Sequence, residues 1–484
     1  MSGIKKKFVS GVLWESVGRY SALGIQFVVT ILIARVLSPA DFGVVGLLTV
    51  FIALGSILLD SGFSQALIQK KETSEIDLSS VFFLNMIVGI ILYSVLFFIS
   101  PYIASFYNLP DLTNYARVLF LIIPINSFGL IQNVIIQKEL TFKKTATASV
   151  VSAVFSGVVG IGMAYSGFGV WALVAQQLVL HTSRTLLYII QRRWMPILSI
   201  SISSLKEMFG FSINMMFHSI VNVTMKNIYV LVIGKFYPVA QVGYYNQATK
   251  FEDISAGTIS QIVLKVSFPA LVQKRDEPEY LRVAYSKIFA TTIYLVAPLM
   301  VFLMCIGEPL FRFLLTDKWL PAVPYFQILC VYGMVLPTLQ ISYNLYKLFR
   351  KGRLLLLIDS FRHLFVITSI FITIKSGIEY MLIGLVICTV TMAILNLYKS
   401  GALISLSLYD QLKSILPYYF TAGVVGVPVY LLPKFDSDLL TICFSGIVFL
   451  SCYLLISKWA KFQGYTEFMV IIKYLKNKIL NKWD

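Results

Sequence analysis

Long apolar segments recur along the chain and are separated by short polar stretches. A membrane-spanning helix needs about 20 consecutive, mostly apolar residues. On that criterion the sequence predicts fourteen spans, of which the second and the eighth are the least apolar. Their limits are roughly 11–34, 42–59, 79–100, 117–137, 147–166, 168–190, 208–234, 250–272, 287–307, 323–346, 354–374, 378–398, 414–432 and 437–457. The pattern therefore predicts an all-α polytopic membrane protein.

The basic residues are unevenly divided between the two sides of the predicted spans. Short loops rich in Lys and Arg stay in the cytoplasm. With the N-terminus placed there, 27 of the 40 basic residues lie on the cytoplasmic side and 8 on the other. We therefore expect both termini in the cytoplasm. No outer loop is much longer than residues 101–116, so we expect no catalytic domain outside the membrane.

The sequence contains an internal repeat. LIARVLSPADFGVVG, from Leu32, aligns without gaps with VIGKFYPVAQVGYYN, from Val232. A second pair, ALIQKKE from Ala66 and ALVQKRD from Ala270, follows in the same order. Six predicted spans separate the copies, so both copies enter the membrane in the same sense. A parallel repeat of this kind is related by an axis along the membrane normal.

The repeat predicts two lobes of six helices, at residues 1–200 and 201–400, that expose a central cleft to one side of the membrane and then to the other. Residues 401–457 hold the last two spans, and residues 458–484 form a basic tail. Apolar residues of this tail, from Phe468 to Ile479, fall near one helical face. They predict an amphipathic helix on the cytoplasmic leaflet, with a solvated basic tail as the alternative.

Composition supports a membrane protein and argues against other classes. Hydrophobic residues make up 58% of the 484 positions and charged residues only 13%, whereas soluble domains carry about 25% charged residues. The net charge of +17 is explained by topology rather than by nucleic-acid binding, because little solvated chain is available to carry a basic face. The five cysteines lie in apolar stretches without a CxxC pair, so no disulfide framework and no metal site are predicted.

Polar residues within the predicted spans are the most informative positions. An ionisable group near the membrane centre is costly and usually faces a partner or a water-filled cavity. In the first span Glu15 and Arg19 are four residues apart, in the favourable acid-first order, and Gln26 continues near the same face. In the seventh span, polar residues recur every fourth position, at Asn214, His218, Asn222 and Lys226. Such a stripe must line a cavity or another helix.

The second and eighth spans correspond under the repeat, and both carry polar residues. Asp60 follows the apolar run of the second span, and Asp253 shares a face with Lys265 in the eighth. We therefore expect one central lining built from both lobes. Arg184 with His181, and Asp359 with Arg362 and His363, lie near cytoplasmic ends. We interpret these two clusters as snorkelling side chains or helix-end ion pairs.

An excess of cations over carboxylates predicts an anionic substrate, since Arg and Lys bind phosphate oxygens through charge-assisted hydrogen bonds. The candidate substrate-binding residues are Arg19, Lys226, Lys265, Asn222 and Gln26. The candidates for coupling to an ion gradient or for charge pairing are Glu15, Asp60, His218, Asp253 and Asp359. No cofactor is expected, and the driving force would be an H⁺ or Na⁺ gradient.

Three segments resemble a known family. WESVGRYSALGIQFVVTILIARVLSPADFGVVGL, DSGFSQALIQKK and VGYYNQATKFEDI look like the Wzx-like polysaccharide transporters of the multidrug, oligosaccharidyl-lipid and polysaccharide exporter superfamily, in particular the colanic-acid and teichuronic-acid exporter branch. The resemblance implies a bacterial inner-membrane flippase for polyprenyl-diphosphate-linked oligosaccharides used in capsule, exopolysaccharide or O-antigen assembly. It implies that Arg19 helps to hold the diphosphate, and that the partners are membrane lipids and, in the same pathway, a polymerase and glycosyltransferases.

Other functions compete with a flippase. A cation-coupled drug antiporter of the same superfamily would favour an acidic and aromatic cavity over Arg19, Lys226 and Lys265. A membrane enzyme such as a glycan polymerase or ligase is not expected, because it would need a sizeable outer loop or a clustered acid and base, and the sequence has neither. The sequence has no GxxxxGK[ST] motif, so ATP is not expected to be the driving force. A membrane scaffold for glycan-assembly enzymes is an alternative from another class, although it would leave the charges within the spans unexplained.

Overall fold

A computed structural model of the chain describes residues 2–273, 275 and 277–480. Within these ranges, only the backbone is described for residues 2–10, 12, 262, 264–267, 269, 270, 273, 471, 472 and 474–480. The described chain is helical and contains no strand. An all-α fold is therefore confirmed.

Nineteen α-helices occur in the described residues. They are α1 Ser2–Val36, α2 Pro39–Asp60, α3 Phe63–Gln69, α4 Glu75–Phe106, α5 Leu112–Leu119, α6 Ile122–Lys138, α7 Phe142–Tyr165, α8 Val170–Gln191, α9 Ile202–Phe236, α10 Val239–Glu252, α11 Thr258–Gln273, α12 Pro278–Cys305, α13 Gly307–Leu315, α14 Val323–Leu348, α15 Gly352–Thr373, α16 Ile378–Gly401, α17 Leu408–Tyr430, α18 Asp438–Trp459 and α19 Gln463–Leu480. A π-helical turn, Asp253–Gly257, separates α10 from α11.

Every predicted span coincides with a helix or a pair of consecutive helices. Eleven helical segments of the described chain are long and apolar enough to cross a membrane. The remaining predicted spans correspond to α8, to α10 with α11, and to α17, which are not among those eleven. A polytopic membrane protein is thus confirmed, whereas the count of fourteen spans stays a prediction.

The SPAD segment of the repeat is a helix start. The Ser38 hydroxyl accepts a hydrogen bond from the Asp41 backbone N–H at 3.3 Å, and the Ser38 N–H donates to the Asp41 carboxylate at 2.8 Å. Together these two bonds form a capping box. Pro39 occupies the first helical position, where its missing N–H costs nothing. The segment therefore fixes where α2 begins.

The chain forms two compact units, Met1–Asn246 and Gln247–Asp484. Helix α9 belongs to the first unit because it packs against α2, α3 and α4. Near its start, Glu207 Oε2 lies 3.0 Å from Lys70 Nζ, and this hydrogen bond raises the pKa of Lys70. The unit boundary therefore falls after α9, whereas the repeat predicted a lobe boundary near residue 200. The assignment of functional lobes stays a prediction.

The two copies of the first repeated segment contact each other within the first unit. A Cβ atom on Gly43 would overlap the carbonyl oxygen of Val239, and a Cβ atom on Gly243 would overlap that of Pro39. Each glycine and each carbonyl is displaced from its counterpart by the same 200 positions. The contact is therefore reciprocal, and its close approach requires glycine on both helices.

The second unit has an aromatic core and a packed C-terminal helix. Tyr285 and Phe289 of α12 are stacked, with ring centroids 5.6 Å apart and almost no exposure. Helix α19 begins against this core, because the Gly464 N–H donates to the Tyr418 hydroxyl at 3.1 Å. An ion pair of 2.8 Å between Lys287 and Glu467 holds the same turn. Ile479, at the end of the predicted amphipathic face, lies outside the described side chains.

Candidate functional site

An open cavity with charged residues in its wall lies in the first unit, between α1, α7 and α8, and has a volume of about 280 Å³. Arg19 and Leu23 in this wall are exposed. Helix α1 contributes most of its wall. The lining residues are Glu15, Arg19, Ala22, Leu23, Gln26, Thr145, Ala146, Ser149 and Arg184. Three of the residues singled out from the first span therefore face one cavity together with a second arginine. We call this space the arginine cavity.

The spacing of the polar residues on α1 explains why they lie on the same side of the helix. Glu15, Arg19 and Gln26 follow one another at intervals of four and seven residues, which places them along one stripe of an α-helix. Gly18 lets α1 approach α7, since a Cβ atom at this position would overlap Ala146. Small residues allow this kind of close helix packing in membranes. Arg19 consequently lies beside the polar residues of α7.

Arg184 reaches the arginine cavity from α8. The helix is held against α6 by a hydrogen bond of 2.9 Å between His181 Nδ1 and Asn126 Oδ1. One turn further, a Cβ atom on Gly129 would lie 3.2 Å from the Thr185 side chain. These two contacts fix the rotation of α8. The sequence pattern predicted a snorkelling or helix-end role for Arg184 and gave no sign that it lines a cavity.

Some polar atoms around the arginine cavity lack hydrogen-bond partners. Arg184 Nε and Thr145 Oγ1 are both buried, and neither forms a hydrogen bond in the described part of the protein. The ion pairs between described residues include none made by Glu15 or Arg184. The cavity wall therefore holds two guanidinium groups and one carboxylate.

The polar stripe of α9 lies in the same unit but does not line the arginine cavity. His218 and Lys226 are exposed, and Asn222 is half-buried. The Asn222 amide donates to the His218 carbonyl oxygen at 2.9 Å, and the Asn214 amide donates to the Gly210 carbonyl oxygen at the same distance. The local bonds of these two asparagines run along the helix, as is usual for short polar side chains. The roles of Asn222, His218 and Lys226 stay predictions.

Asp60 ends α2 and makes a local contact in the structure. Its carboxylate accepts a hydrogen bond of 3.1 Å from the Ser64 backbone N–H, in the first turn of α3. An acidic side chain in this position satisfies a backbone donor that the helix itself leaves open. The structure therefore gives Asp60 a capping contact, and its role in ion coupling stays a prediction.

The remaining candidates belong to the second unit. Asp253 is exposed and begins the π-helical turn, while Asp359 accepts a hydrogen bond of 2.6 Å from the Tyr343 hydroxyl and lies 3.4 Å from Arg362. The side chain of Lys265 lies outside the described residues. Among the described side chains, no group of three or more His, Cys, Asp or Glu residues could hold a metal ion.

The buried carboxylate of Glu252 was not predicted from the sequence. This side chain is 1% exposed, and a Cβ atom on Gly333 of α14 would lie 2.7 Å from its Oε1 atom. Asp253, the next residue, is exposed. Glu252 and Asp253 are adjacent acids in EDISAG, and the sequence pattern does not show which of them is buried. Only the tertiary structure distinguishes the two.

Comparison with known proteins places these observations in a family. Residues 32–324 match the family described as "Polysaccharide biosynthesis protein". The chain is 27% identical over 338 residues to the teichuronic acid biosynthesis protein TuaB of Bacillus subtilis (strain 168), covering 69% of this chain and 70% of that protein. It is 28% identical over 336 residues to the lipopolysaccharide biosynthesis protein WzxC of Escherichia coli (strain K12), covering 69% and 68%.

The fold is also similar to a solved structure. The lipid II flippase MurJ, in an inward closed conformation, superposes with a TM-score of 0.72 at 17% identity. The similarity covers 93% of this chain and 99% of MurJ. At this level of identity the likeness concerns the fold alone.

Proposed function

The chain belongs to the polysaccharide biosynthesis protein family, and from this premise we propose that it is a flippase. It moves polyprenyl-diphosphate-linked oligosaccharide units from the cytoplasmic to the outer leaflet of the bacterial inner membrane, by alternating access of its two predicted lobes. The products serve the assembly of capsule, exopolysaccharide or O-antigen. Similarity to TuaB, WzxC and the MurJ fold supports this proposal.

The arginine cavity is the observation that carries the proposal. A flippase must remove a diphosphate and its sugars from water while the lipid tail stays among hydrocarbon chains. A guanidinium group offers several donors in a planar fork that matches phosphate oxygens. Gln26 and Ser149, which line the same cavity, are donors and acceptors suited to phosphate or sugar oxygens. The cavity is thus chemically suited to the polar head of such a lipid.

Two further parts of the proposal follow from the sequence. We assign the driving force for net movement to an H⁺ or Na⁺ gradient. Asp60, His218, Asp253 and Asp359 are the candidate coupling groups outside the arginine cavity. Glycosyltransferases of the same pathway would act before the lipid is moved, and a polymerase would act after it.

Replacement of Arg19 tests the proposal. Arg19→Ala should abolish surface glycan and cause the lipid-linked oligosaccharide to accumulate on the cytoplasmic side, because hydrogen bonds to charged groups contribute about 1.5–3 kcal/mol each. Arg19→Lys should keep part of the activity, since it retains the charge but not the planar fork. The measurement is complementation of a strain that lacks the protein, with lectin-accessible surface glycan as the readout.

Arg193→Ala is the matched control, because Arg193 is an exposed arginine outside the arginine cavity. It should complement like the wild type. Normal glycan from an Arg19→Ala protein that is present in the membrane at wild-type abundance would contradict the role of Arg19. Normal glycan from the deletion strain itself would contradict the flippase function.

A further inference from the structure

We propose that the second unit binds an anionic glycerophospholipid at the end of α18. One acyl chain lies in a groove between α12, α18 and α19, which we call the apolar groove, and Lys458 and Lys461 hold the phosphate. The site lies outside the arginine cavity and takes a lipid of the surrounding membrane rather than a transported one. It does not depend on the proposed flippase function.

The apolar groove is large enough for a lipid chain and opens towards the membrane. Its volume of about 560 Å³ lies within the range of about 300–1,000 Å³ that is usual for ligand sites. None of the described residues that line it is charged. Ile447 and Leu450 in its wall are 67% and 59% exposed, so the groove is open along its side. A chain can therefore enter it from the hydrocarbon region.

Packed aromatic side chains form the floor of the apolar groove. Between ring centroids, Tyr294 of α12 lies 5.3 Å from Tyr453 of α18 and 6.2 Å from Phe468 of α19. The Tyr453 hydroxyl also donates a hydrogen bond of 3.3 Å to the Tyr294 carbonyl oxygen. These contacts join the three helices, so the groove has its shape before a ligand binds. A preformed site loses less conformational freedom on binding.

The length of the apolar groove matches one leaflet of a bilayer. On α18 it extends from Ile442 to Leu454, a rise of about 18 Å along an α-helix. Half of the hydrocarbon core of a bilayer measures about 15 Å. An acyl chain that enters the membrane at the end of α18 therefore fills the groove.

Two lysines lie where the apolar groove ends. Ile447, Leu454 and Lys458 follow one another at intervals of seven and four residues, so they share one stripe of α18. Lys461 lies in the turn between α18 and α19. Both lysines are exposed, and neither forms an ion pair with another described residue. A phosphate beside this end of the groove therefore has two cationic partners.

Trp459 places the two lysines at the level of the lipid headgroups. Its side chain is 88% exposed and directly follows Lys458. Trp is enriched at the interface between membrane and water, where the headgroups lie. Basic pockets at this level bind anionic headgroups. The apolar groove and the two lysines thus match a lipid with a negative headgroup, in the leaflet where α18 ends. The sequence predicts that this leaflet is the cytoplasmic one.

Native mass spectrometry of the full-length protein in detergent tests the headgroup site, with phosphatidylglycerol and phosphatidylcholine of identical acyl chains as the probes. We expect the first phosphatidylglycerol to bind at least tenfold more tightly than phosphatidylcholine. A double variant, Lys458→Gln with Lys461→Gln, should lose this preference, because both lipids then bind through their chains alone. The matched control, Lys399→Gln with Lys413→Gln, removes two other exposed lysines of the second unit and should keep the preference.

Filling the apolar groove tests the chain site. Gly446 lines it, and the atom nearest to an added Cβ is Phe302 Cζ at 3.4 Å. Gly446→Leu should weaken the binding of both phospholipids at least fivefold. Gly423→Leu of α17 is the control and should bind them like the wild type, because no atom lies within 4 Å of an added Cβ there. If Gly446→Leu does not fold, Ile447→Trp at an exposed position of the groove replaces it, with the same expected loss.

Three results would overturn the proposal. The first is equal affinity of the wild type for the two phospholipids, or an unchanged preference in the lysine double variant. The second is wild-type binding by the variant that fills the groove. The third is displacement of bound phosphatidylglycerol by an equal concentration of a polyprenyl phosphate, which would assign the groove to a polyprenyl chain instead. Retention of phosphatidylglycerol in that competition supports the phospholipid site.

Discussion

The two units each contain a large cavity, and the two cavities differ in chemistry. The arginine cavity of the first unit measures about 280 Å³ and is lined by two arginines, a glutamate and several smaller polar residues. The second unit has a groove of about 560 Å³ between α12, α18 and α19. Aromatic and aliphatic side chains such as Phe302, Ile447 and Leu450 line it, and none of its lining residues is charged.

The difference shows that cavity size does not identify the polar site of a membrane protein. An apolar groove on a membrane helix can be filled by lipid chains, which are as apolar as the groove itself. A cationic cavity must instead hold water or an anion. Charged residues at a helix centre cost about 2.5–3.5 kcal/mol each on insertion scales. The smaller cavity is therefore the one whose charged residues cost free energy on membrane insertion. A function in binding an anion explains why that cost is tolerated.

The largest expected effect comes from a substitution of Gly18, which packs beside the arginine cavity. Gly18→Ala places a methyl group against the backbone of Ala146, so α1 must move away from α7. Overpacking of this kind costs about 1–3 kcal/mol. We expect a lower melting temperature and less surface glycan when the variant complements a strain that lacks the protein. Gly24→Ala is the control, since no atom lies within 4 Å of its added methyl group. Equal melting temperatures for the two variants would disprove the close contact.

A smaller effect is expected from filling the apolar groove. Gly446 of α18 lines it, and the nearest atom to an added Cβ is Phe302 Cζ at 3.4 Å. Gly446→Leu should change the free energy of unfolding by less than about 1.5 kcal/mol. It should complement a strain that lacks the protein as well as the wild type does. Loss of surface glycan in this variant at wild-type abundance would show that the groove and the arginine cavity do not act separately.

The smallest effect should come from charges of the second unit that lie outside its apolar groove. Glu308 contacts Lys434 and lies 2.8 Å from Arg312, and the hydrogen bond from Lys434 lowers the pKa of Glu308. A lowered carboxyl pKa stabilises the folded protein above the unfolded pKa, and this stabilisation is lost as the pH falls through the folded pKa. Solvent screening limits it to less than about 1 kcal/mol.

Glu308→Gln should therefore lower the melting temperature slightly at pH 7, and the difference from the wild type should shrink as the pH falls below 4.5. Thermal melting at several pH values measures this. Glu379→Gln, which removes another exposed carboxylate of the same unit, is the control and should show no such pH dependence. A constant difference between pH 7 and pH 3 would mean that Glu308 does not act through its charge.

The positions of the helices were predictable because their causes are local. Each apolar run of about 20 residues specifies a helix by itself. The start of α2 is set by Ser38, Pro39 and Asp41, which interact within one turn. The common side of Glu15, Arg19 and Gln26 follows from helical spacing alone, and the structure places all three in one cavity.

The partners of these residues were decided by packing between distant segments. Arg184 joins Arg19 because α7 packs against both α1 and α8, and no spacing rule connects positions so far apart in the chain. Glu252 is buried and Asp253 exposed because neighbouring side chains point about 100° apart on a helix and only the surrounding helices determine which direction is inside. The sequence by itself thus determined the helices and one wall of the arginine cavity. Its second arginine depended on tertiary contacts, since the rotation of α8 is fixed by Asn126 and Gly129 on another helix.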